Sequence, residues 1–317
     1  MSFQDIKPVE NADFYIDLAV KKAKKKASAL KEKHRRNPGL EREIIITTCK
    51  LECFTSLINQ KFNEIISGFP SLDSMPEFYL ELFKTVLGYG EVKKSLGSVQ
   101  WASRQVTRLK NRIIADIKKA VSVKQVQTLK KEFFGRSTSV IKQIDKHLRK
   151  IEEARKVMRS FPTVKTGLKT FCIAGFPNVG KTTLMFKLSG SKPEINSYPF
   201  TTKNINVAYI KRGYTKIQLL DTPGTLNRFE KMNAIEKQAY LAMKLLAEKI
   251  IFVFDLTETY PLKEQEKLYK KIKRFGKEII IYLSKEDLLK GNKKLGDFKK
   301  KYGAISSVEK LREKLLA

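Results

Sequence analysis

The first half of the chain repeats its apolar residues at intervals of three and four. This spacing places them on one face of a helix, and it is clearest over residues 41–66 and 124–158. One apolar seam consists of Ile141, Ile144, Leu148 and Ile151. Breaks rich in Gly and Pro, which end helices, fall at residues 68–76, 88–90 and 161–167. We therefore predict an all-α antiparallel helical bundle over residues 1–165.

The pattern changes in the second half, where short β-rich runs alternate with helical ones. The runs read TFCIAG, INVAYIK, KIQLLD, KIIFVFD, EIIIYLS and GAIS. Six strands with intervening helices predict a three-layer α/β domain over residues 166–317, built on a six-stranded mixed sheet. Only RGYT separates INVAYIK from KIQLLD, so these two strands should form an antiparallel hairpin at one edge of an otherwise parallel sheet.

The charge of the chain is strongly unbalanced. Its 317 residues hold 64 Lys and Arg against 33 Asp and Glu, a net charge of +31, which favours polyanionic partners such as nucleic acid. The charge is also local. Residues 51–100 hold 4 basic and 6 acidic side chains, whereas residues 101–160 hold 17 basic and 5 acidic ones. We therefore expect an RNA-facing surface in the helical half.

Within this basic region, one predicted helix has two contrasting faces. Its apolar face consists of Val106, Leu109, Ile113 and Ile117, and the opposite face of Arg104, Arg108, Arg112 and Lys119. A contiguous basic stripe releases several counterions from RNA at once, although basic faces are often only solvated and a lysine-rich composition can be a bias of a whole proteome. Trp101 falls on the basic side, where it either stacks on a base or, the commoner case near a helix start, is buried.

Several other classes of protein are disfavoured. The three cysteines and two histidines show none of the usual zinc or disulfide spacings, and Cys49 and Cys53 are most simply core residues. No apolar run approaches a membrane span, and acidic residues occupy the amino terminus where a signal peptide needs an apolar stretch. We expect a soluble protein of a reducing compartment.

The strongest chemical signal is GFPNVGKTT at residues 175–183, directly after the run TFCIA and before an apolar helix. It matches G-x-x-x-x-G-K-[ST], the pattern of a phosphate-binding loop. The glycines let backbone amides turn towards the phosphates, Lys181 reaches the β and γ oxygens, and the Thr182 hydroxyl binds magnesium. The predicted nucleotide-binding residues of this loop are Gly175, Asn178, Val179, Gly180, Lys181, Thr182 and Thr183.

Two further motifs end predicted strands. Asp221 ends KIQLLD within the sequence DTPG, where its carboxylate suits the magnesium shell and the amide of Gly224 meets the γ phosphate. Ser284, Lys285 and Asp287 belong to SKED, at the end of EIIIYLS. The Asp287 carboxylate accepts two hydrogen bonds that guanine offers and adenine does not, while the Lys285 stem lies along the ring. The alternative is a solvated helix start with a capping Asp.

These segments resemble those of a known family. GFPNVGKTT, KPEINSYPFTTKNI, LLDTPG, NAIEKQAYLAMKLLA and SKED are similar to the translation-factor-related GTPases of the Obg group. Within that group they are most similar to the nucleolar GTP-binding protein family and its archaeal relatives. In the helical half, SGFPSLDSMPEFYLELFKTVLGYGEVKKSLGSVQWA resembles the amino-terminal domain of that family. The resemblance implies a Ras-like G domain and a role in assembling the large ribosomal subunit.

The resemblance also implies roles for single residues. The threonine of the first switch maps onto the pair Thr201 and Thr202, of which Thr202 is favoured as a magnesium ligand beside Thr182 and Asp221. The last family motif, a Ser-Ala loop that touches guanine, is shortened to Ser306 and Ser307. A Ser also begins SKED, where the family usually has Asn or Thr. The long carboxyl-terminal extension of the eukaryotic members is not present in this sequence, which favours an archaeal, cytoplasmic form.

Hydrolysis poses a separate question, because DTPG is not followed by the Gln that orients the attacking water in Ras-like switches. Positive charge at the bridging phosphate oxygens is the usual remedy. It can come from Arg228 or from a monovalent cation held by the Asn178 carbonyl, and in GTPases with a similar loop this Asn is associated with potassium-dependent hydrolysis. Alternatively, Asn178 only caps its own loop. The expected catalytic residues are Lys181, Thr202, Gly224 and Asn178.

Two functions remain in competition. The first is a GTPase switch on ribosomal RNA, monomeric when free, in which GTP orders the segments near Thr202 and Gly224. The ordered state binds the precursor of the large ribosomal subunit, and hydrolysis, slow without a partner or potassium, releases it. The second is an RNA-binding module for which GTP is mainly a structural or sensing ligand with little turnover.

Overall fold

A computed structural model of the chain describes residues 3–71, 74–190, 206–212, 215–222, 234–257, 260–289 and 293–316. Two compact units form. One contains Ser2–Ser74 and Leu87–Arg159, and we call it the helical unit. The other contains Met75–Val86 and Ser160–Ala317, and we call it the G unit. The predicted division of the chain after residue 165 stays a prediction.

Six helices make up most of the described part of the chain before residue 160. They are α1 (Ala12–Lys33), α2 (Gly39–Gly68), α3 (Glu77–Leu87), α4 (Tyr89–Lys118), α5 (Val123–Gln143) and α6 (Asp145–Arg159). The whole predicted seam is buried, with each of its four side chains at most 2% exposed. The seam nevertheless crosses a break, because the helix pauses at Ile144 between α5 and α6. The predicted helical first half is confirmed.

The two-faced helix predicted from the sequence is α4. Its apolar positions Val106, Ile113 and Ile117 are at most 1% exposed. The basic positions on the other side are all exposed: Arg104, Arg108, Arg112 and Lys119. Trp101 shares that outer side and is 43% exposed, so the alternative of a buried tryptophan is wrong. The amphipathic pattern therefore leaves a basic face with one aromatic ring in solvent.

An ion pair between a buried arginine and a half-buried glutamate fixes the amino-terminal segment to α6. Arg155 is 6% exposed, and its Nε and Nη2 donate to the two carboxylate oxygens of Glu152 at 2.7 and 2.8 Å. The same carboxylate accepts a hydrogen bond from Val9 N at 2.9 Å, and Arg155 Nη1 donates to Ile6 O at 3.4 Å. Every charge of the pair is thus compensated inside the helical unit.

The G unit is built on a five-stranded sheet in the order β2-β3-β1-β4-β5. The strands are β1 (Thr170–Ala174), β2 (Asn206–Arg212), β3 (Thr215–Asp221), β4 (Lys249–Asp255) and β5 (Glu278–Ser284). All pairings are parallel except that of β2 with β3. The predicted edge hairpin in a mixed sheet is therefore confirmed.

The prediction of a sixth strand is wrong for the described residues. The run GAIS contributes only a single bridge, in which Ile305 N donates to Ile281 O at 2.9 Å and Leu283 N donates to Ile305 O at 2.8 Å. Gly303, with φ of 61°, ends the helix before the run, and Ser307 caps the helix after it. Too few residues remain between the two helices for a strand to extend.

Helices cover the sheet on both sides, as the three-layer prediction requires. They are α7 (Lys181–Ser189), α8 (Ala234–Leu241, which continues as the π-helical turn Ala242–Leu246), α9 (Leu262–Lys273), α10 (Lys293–Tyr302) and α11 (Val308–Leu316). Strand β1 is buried along its whole length. Among the described helices, none is both long enough and apolar enough to cross a membrane.

The helix α3 lies early in the sequence but packs within the G unit. The hydroxyl of Tyr79 donates to Pro162 O at 2.8 Å and accepts from Val164 N at 3.0 Å. Burial raises the pKa of Tyr79 to about 12, so the phenol stays protonated and keeps donating. This bond ties α3 to the segment that leads into β1.

Candidate nucleotide site

The predicted motifs converge at one edge of the sheet. The loop of residues 175–180 follows β1, Asp221 ends β3, Asp255 ends β4 and Ser284 ends β5. Because the carboxyl ends of parallel strands share an edge, these groups line the place where open α/β sheets bind ligands. Three of the four are residues or segments predicted from the sequence, and Asp255 is an addition made by the fold.

The loop after β1 is shaped by two glycines. Gly175 has φ of 149°, and a Cβ atom there would lie 2.7 Å from Val253 O of the neighbouring strand. Gly180 has φ of 91° and is the N-cap of α7, so the loop runs directly into a helix amino terminus. Such a terminus presents backbone N–H groups without intrahelical partners and favours an anion. Val179 is fully buried beneath the loop, whereas Thr183 is exposed.

Lys181 is a buried cation with an incomplete set of partners. Its side chain is 7% exposed, and Nζ donates to Phe176 O at 2.6 Å. Among the described residues it makes no ion pair. Burial lowers the pKa of Lys181, and the nearby charge of Asp221 only partly opposes this. A phosphate oxygen would supply the negative charge that the described residues do not provide within bonding distance.

Asp221 and Thr182 form the oxygen-rich part of the site. Thr182 Oγ1 donates to Asp221 Oδ2 at 2.6 Å, and Asn206 Nδ2 donates to the same oxygen at 3.2 Å. The other oxygen, Oδ1, is buried without a hydrogen-bond partner in the described part of the chain. Burial raises the pKa of Asp221. Magnesium prefers such hard oxygen ligands. A hydroxyl beside an orphaned carboxylate oxygen therefore fits the predicted ion.

Asn206 is a contact that the sequence reasoning missed. It begins β2 and lies opposite Asp221 in the antiparallel register. The predicted hairpin carried the signal, since a two-stranded register aligns the first residue of one strand with the last residue of the other. Asn206 thus holds the carboxylate in place from the neighbouring strand.

Asn178 adopts a left-handed backbone conformation, with φ of 62°. Among residues other than Gly, Asn adopts this conformation more readily than most. The side chain is exposed and makes no hydrogen bond to any described residue. The alternative in which Asn178 caps its own loop therefore has no bond to support it. The backbone explains an Asn here, and the side-chain carbonyl remains available for a ligand.

The guanine-reading residues are anchored to the adjacent strand. Ser284 Oγ donates to Phe254 O at 3.0 Å, and Lys285 Nζ donates to Asp255 Oδ2 at 2.6 Å. Asp255 is fully buried, and it also accepts from the amide and hydroxyl of Thr257. Although burial opposes its ionisation, these bonds hold the pKa of Asp255 below its ordinary value. The ion pair fixes the Lys285 stem, which carries the predicted contact with the base.

Asp287 is exposed in a short 3-10 helix, Glu286–Leu289. Its carboxylate makes no hydrogen bond to another described residue, so both oxygens are available to a base edge. The alternative reading of SKED as a helix start describes the backbone correctly, yet no capping bond by Asp287 accompanies it in the described structure. Guanine recognition by Asp287 stays a prediction.

The shortened last motif has structural partners of its own. Ser307 Oγ accepts from Lys310 N at 3.2 Å and donates to Glu309 Oε2 at 2.8 Å, as an N-cap of α11 does. Ser306 forms a hydrogen bond with Glu286 that helps lower the pKa of that carboxylate, after the larger effect of Lys299. Nucleotide contacts by Ser306 and Ser307 stay predictions. Thr201, Thr202, Gly224 and Arg228 lie outside the described residues.

Comparison with known proteins agrees with this geometry. Residues 3–165 match the family model of the NOG1 N-terminal helical domain, and residues 170–285 match that of the 50S ribosome-binding GTPase. The protein MJ1408 of Methanocaldococcus jannaschii is 38% identical over 86% of this chain and 77% of its own length. Nucleolar GTP-binding protein 1 of Drosophila melanogaster is 29% identical over 91% of this chain, which spans only 44% of that relative.

Solved structures overlap only in part. The cytosolic domain of the T. maritima FeoB iron transporter is 26% identical and covers 47% of this chain and 63% of its own, with a TM-score of 0.39. A score at that level carries no argument about function.

Proposed function

Because the chain belongs to the nucleolar GTP-binding protein family, we propose that it is a GTPase switch acting in the assembly of the large ribosomal subunit. The family membership makes it a GTP-binding protein of the GTPase superfamily. The observation that supports a working nucleotide site is the buried Lys181, which makes no ion pair with a described residue, near Asp221 Oδ1, which has no hydrogen-bond partner among them. Both are costly to the free protein, and Mg-GTP supplies the missing partner of each.

In this proposal Lys181 exchanges Phe176 O for oxygens of the β and γ phosphates. Thr182 and Asp221 present a hydroxyl and a carboxylate to magnesium, which would neutralise charge on the phosphate oxygens when bound. The amides of the loop and of the first turn of α7 surround the remaining phosphate oxygens. Asp287 reads the guanine edge, and the Asp255–Lys285 pair holds the base-contacting stem rigid.

We further propose that Asn178 holds a potassium ion against the phosphates. Its exposed side chain without hydrogen bonds in the described structure supports this role. GTP turnover should be faster in potassium than in sodium at equal ionic strength. The sharpest variant is Asn178→Gly, because Gly accepts the left-handed φ of 62° and removes only the side chain. It should abolish the difference between the salts while nucleotide binding persists, and equal rates for the unmodified protein would return Asn178 to a backbone role.

The assembly role is tested by sedimentation with ribosomal subunits. Protein loaded with a non-hydrolysable GTP analogue should co-sediment with large subunits or their precursors, and the GDP form should do so less. If neither form co-sediments in moderate salt, the assembly role is lost. Turnover measured with and without large subunits separates the switch from an RNA-binding module with little turnover. Cytoplasmic location and a monomeric free state stay predictions.

A further inference from the structure

A shallow cavity of about 380 Å³ opens on the outer side of the helical unit. It lies between α4 and the junction of α5 with α6. The lining residues that concern its chemistry are Lys94, Gly97, Trp101, Gln143, Lys146 and His147. Its volume falls within the range of about 300–1,000 Å³ typical of small-ligand pockets.

The aromatic wall of this cavity is Trp101, which is 43% exposed. A large aromatic ring left in solvent forgoes the burial that usually stabilises it. An exposed indole beside a cavity is also a surface on which a planar group can stack. Trp101 is the one tryptophan in the sequence, so its fluorescence reports on this cavity alone.

The charge around the ring is positive. Lys94 and Lys146 line the cavity, and neither makes an ion pair with a described residue. No lining residue is a carboxylate. Arg104 and Arg108 follow Trp101 on the same outer face of α4, three and seven positions later, and extend the basic surface by about 10 Å at 1.5 Å per residue. The geometry suits a planar ligand that is joined to a chain of anions.

Hydrogen-bonding groups complete the wall. Ser95 Oγ donates its hydrogen to Glu91 O at 2.8 Å, so the contact of 3.1 Å between Ser95 Oγ and His147 Nδ1 requires the ring nitrogen to donate. Burial, followed by Lys146 and Lys94, lowers the pKa of His147. The neutral ring then keeps Nε2 as an acceptor. Gln143 adds an exposed amide, which offers both a donor and an acceptor.

Gly97 widens the cavity from the α4 side. A Cβ atom on Gly97 would meet nothing within 4 Å, so no packing contact requires glycine there. Gly in a helix interior is unfavourable relative to Ala. The packing of the helices therefore does not explain the open space above Gly97.

We infer that this cavity binds an unpaired RNA base, which stacks on Trp101 while the adjoining phosphates lie along Lys94, Arg104 and Arg108. Stacking on an aromatic ring together with a basic track is the recognition mode of single-stranded nucleic acid. An acidic peptide would match the charge but not the flat ring between polar groups. The inference rests on the proposed role in assembling the large ribosomal subunit and on the RNA-facing surface expected from the sequence. It adds the kind of RNA, a single-stranded segment.

The test uses the intrinsic fluorescence of the full chain. A ten-nucleotide single-stranded RNA should quench Trp101, whereas a blunt duplex of the same length should bind through charge with little quenching. Heparin, a polyanion without bases, should likewise bind without quenching. Quenching by the duplex or heparin as strong as that by the single strand would overturn the inference.

Two matched pairs of variants locate the effect. Trp101→Ala should weaken single-strand binding roughly 5- to 100-fold, and Trp101→Phe should restore most of it. Phe14→Ala, which removes another exposed aromatic ring, should have no effect. Gly97→Leu should fill the cavity and weaken binding, whereas Gly135→Leu, at an equally open helical glycine, should not. GTP turnover should be unchanged in all of them.

The outcomes separate this inference from the proposed function. If single-stranded RNA binds but Trp101→Ala and Gly97→Leu bind it equally well, only the base pocket is overturned. If neither RNA binds at low salt, the RNA-facing role falls with it. Binding of an acidic peptide in place of RNA, with quenching of Trp101, would replace the RNA base by a protein partner and also overturn the inference.

Discussion

Each of the two units contains a buried cation, and the two cations differ in their hydrogen-bond partners and in the direction of their pKa shifts. Arg155 of the helical unit and Lys181 of the G unit are 6% and 7% exposed. Arg155 meets both oxygens of Glu152, and these hydrogen bonds raise its pKa. Among the residues that the structure describes, Lys181 donates to a single backbone carbonyl, and burial lowers its pKa. The two side chains have similar exposed fractions, and their pKa values shift in opposite directions because Arg155 has a carboxylate partner.

The carboxylates of Glu152 and Asp221 also have pKa values that are shifted in opposite directions. Glu152 is ionised more readily than usual, because hydrogen bonds from Arg155 and Val9 outweigh its burial. Burial dominates at Asp221 and raises its pKa. A buried charge is costly unless it is paired. The helical unit pairs Arg155 with Glu152 and thereby holds the segment that contains Ile6 and Val9. The described residues of the G unit leave the charges of Lys181 and Asp221 for a ligand to complete.

The largest effect should come from Lys181→Met, which removes the unpaired cation and keeps most of the side-chain volume. GTP turnover should fall about a hundredfold or more, the loss typical of removing one donor to a developing negative charge. The free energy of unfolding without nucleotide should stay the same or rise, because an uncompensated charge has left the interior. Steady-state GTP hydrolysis and urea unfolding measure the two quantities.

A matched control for Lys181→Met is available on the same helix. Lys187 also lies on α7 but is exposed, so Lys187→Met should leave GTP turnover nearly unchanged. A clear loss of stability in Lys181→Met without nucleotide would contradict the proposal that the buried charge of Lys181 is unfavourable until a phosphate binds.

The second-largest effect should come from Arg155→Met, which removes a buried cation that has a carboxylate partner. Removing Arg155 deprives the half-buried Glu152 of two charge-assisted hydrogen bonds and leaves it with Val9 N and, at 3.9 Å, Lys156 Nζ. The loss should cost about 2 kcal/mol of stability. GTP turnover at moderate temperature should not change, because Arg155 belongs to the helical unit. Urea unfolding of the two Met variants side by side measures the contrast directly. If Arg155→Met were as stable as the unmodified protein, the proposed contrast between the two buried cations would be wrong.

The smallest effect is a pH dependence from Glu152. Its pKa in the folded protein lies below the ordinary value of 4.5, so the unfolded chain binds more protons between the two values. The stabilisation is therefore complete above the ordinary value and is lost as pH falls through the folded pKa. Glu152→Gln should remove this part of the acid destabilisation when unfolding is followed between about pH 3 and pH 7. Glu153→Gln, at the exposed neighbour, should retain it.

The sequence by itself determined the features that depend on neighbours along the chain. The helical spacing gave the buried seam and the basic face of α4, because a period of 3.6 residues assigns every position to a face. The phosphate loop could be predicted because its glycines, Lys181 and Thr182 lie close together in the sequence between a strand and a helix. The edge hairpin followed from the shortness of its connection, since a crossover needs many more residues.

Only the tertiary structure decided which distant groups meet. Asp255 and Lys285 are 30 residues apart, and Tyr79 and Val164 are 85 apart. The pairing of parallel strands and the packing of α3 bring these residues together, and no local pattern specifies them. The GAIS run became a single bridge because two helix ends compete for its residues. Trp101 lies exposed beside a cavity that it shares with residues of the α5–α6 junction. Periodicity assigns a face, but the partner of that face depends on where the chain returns.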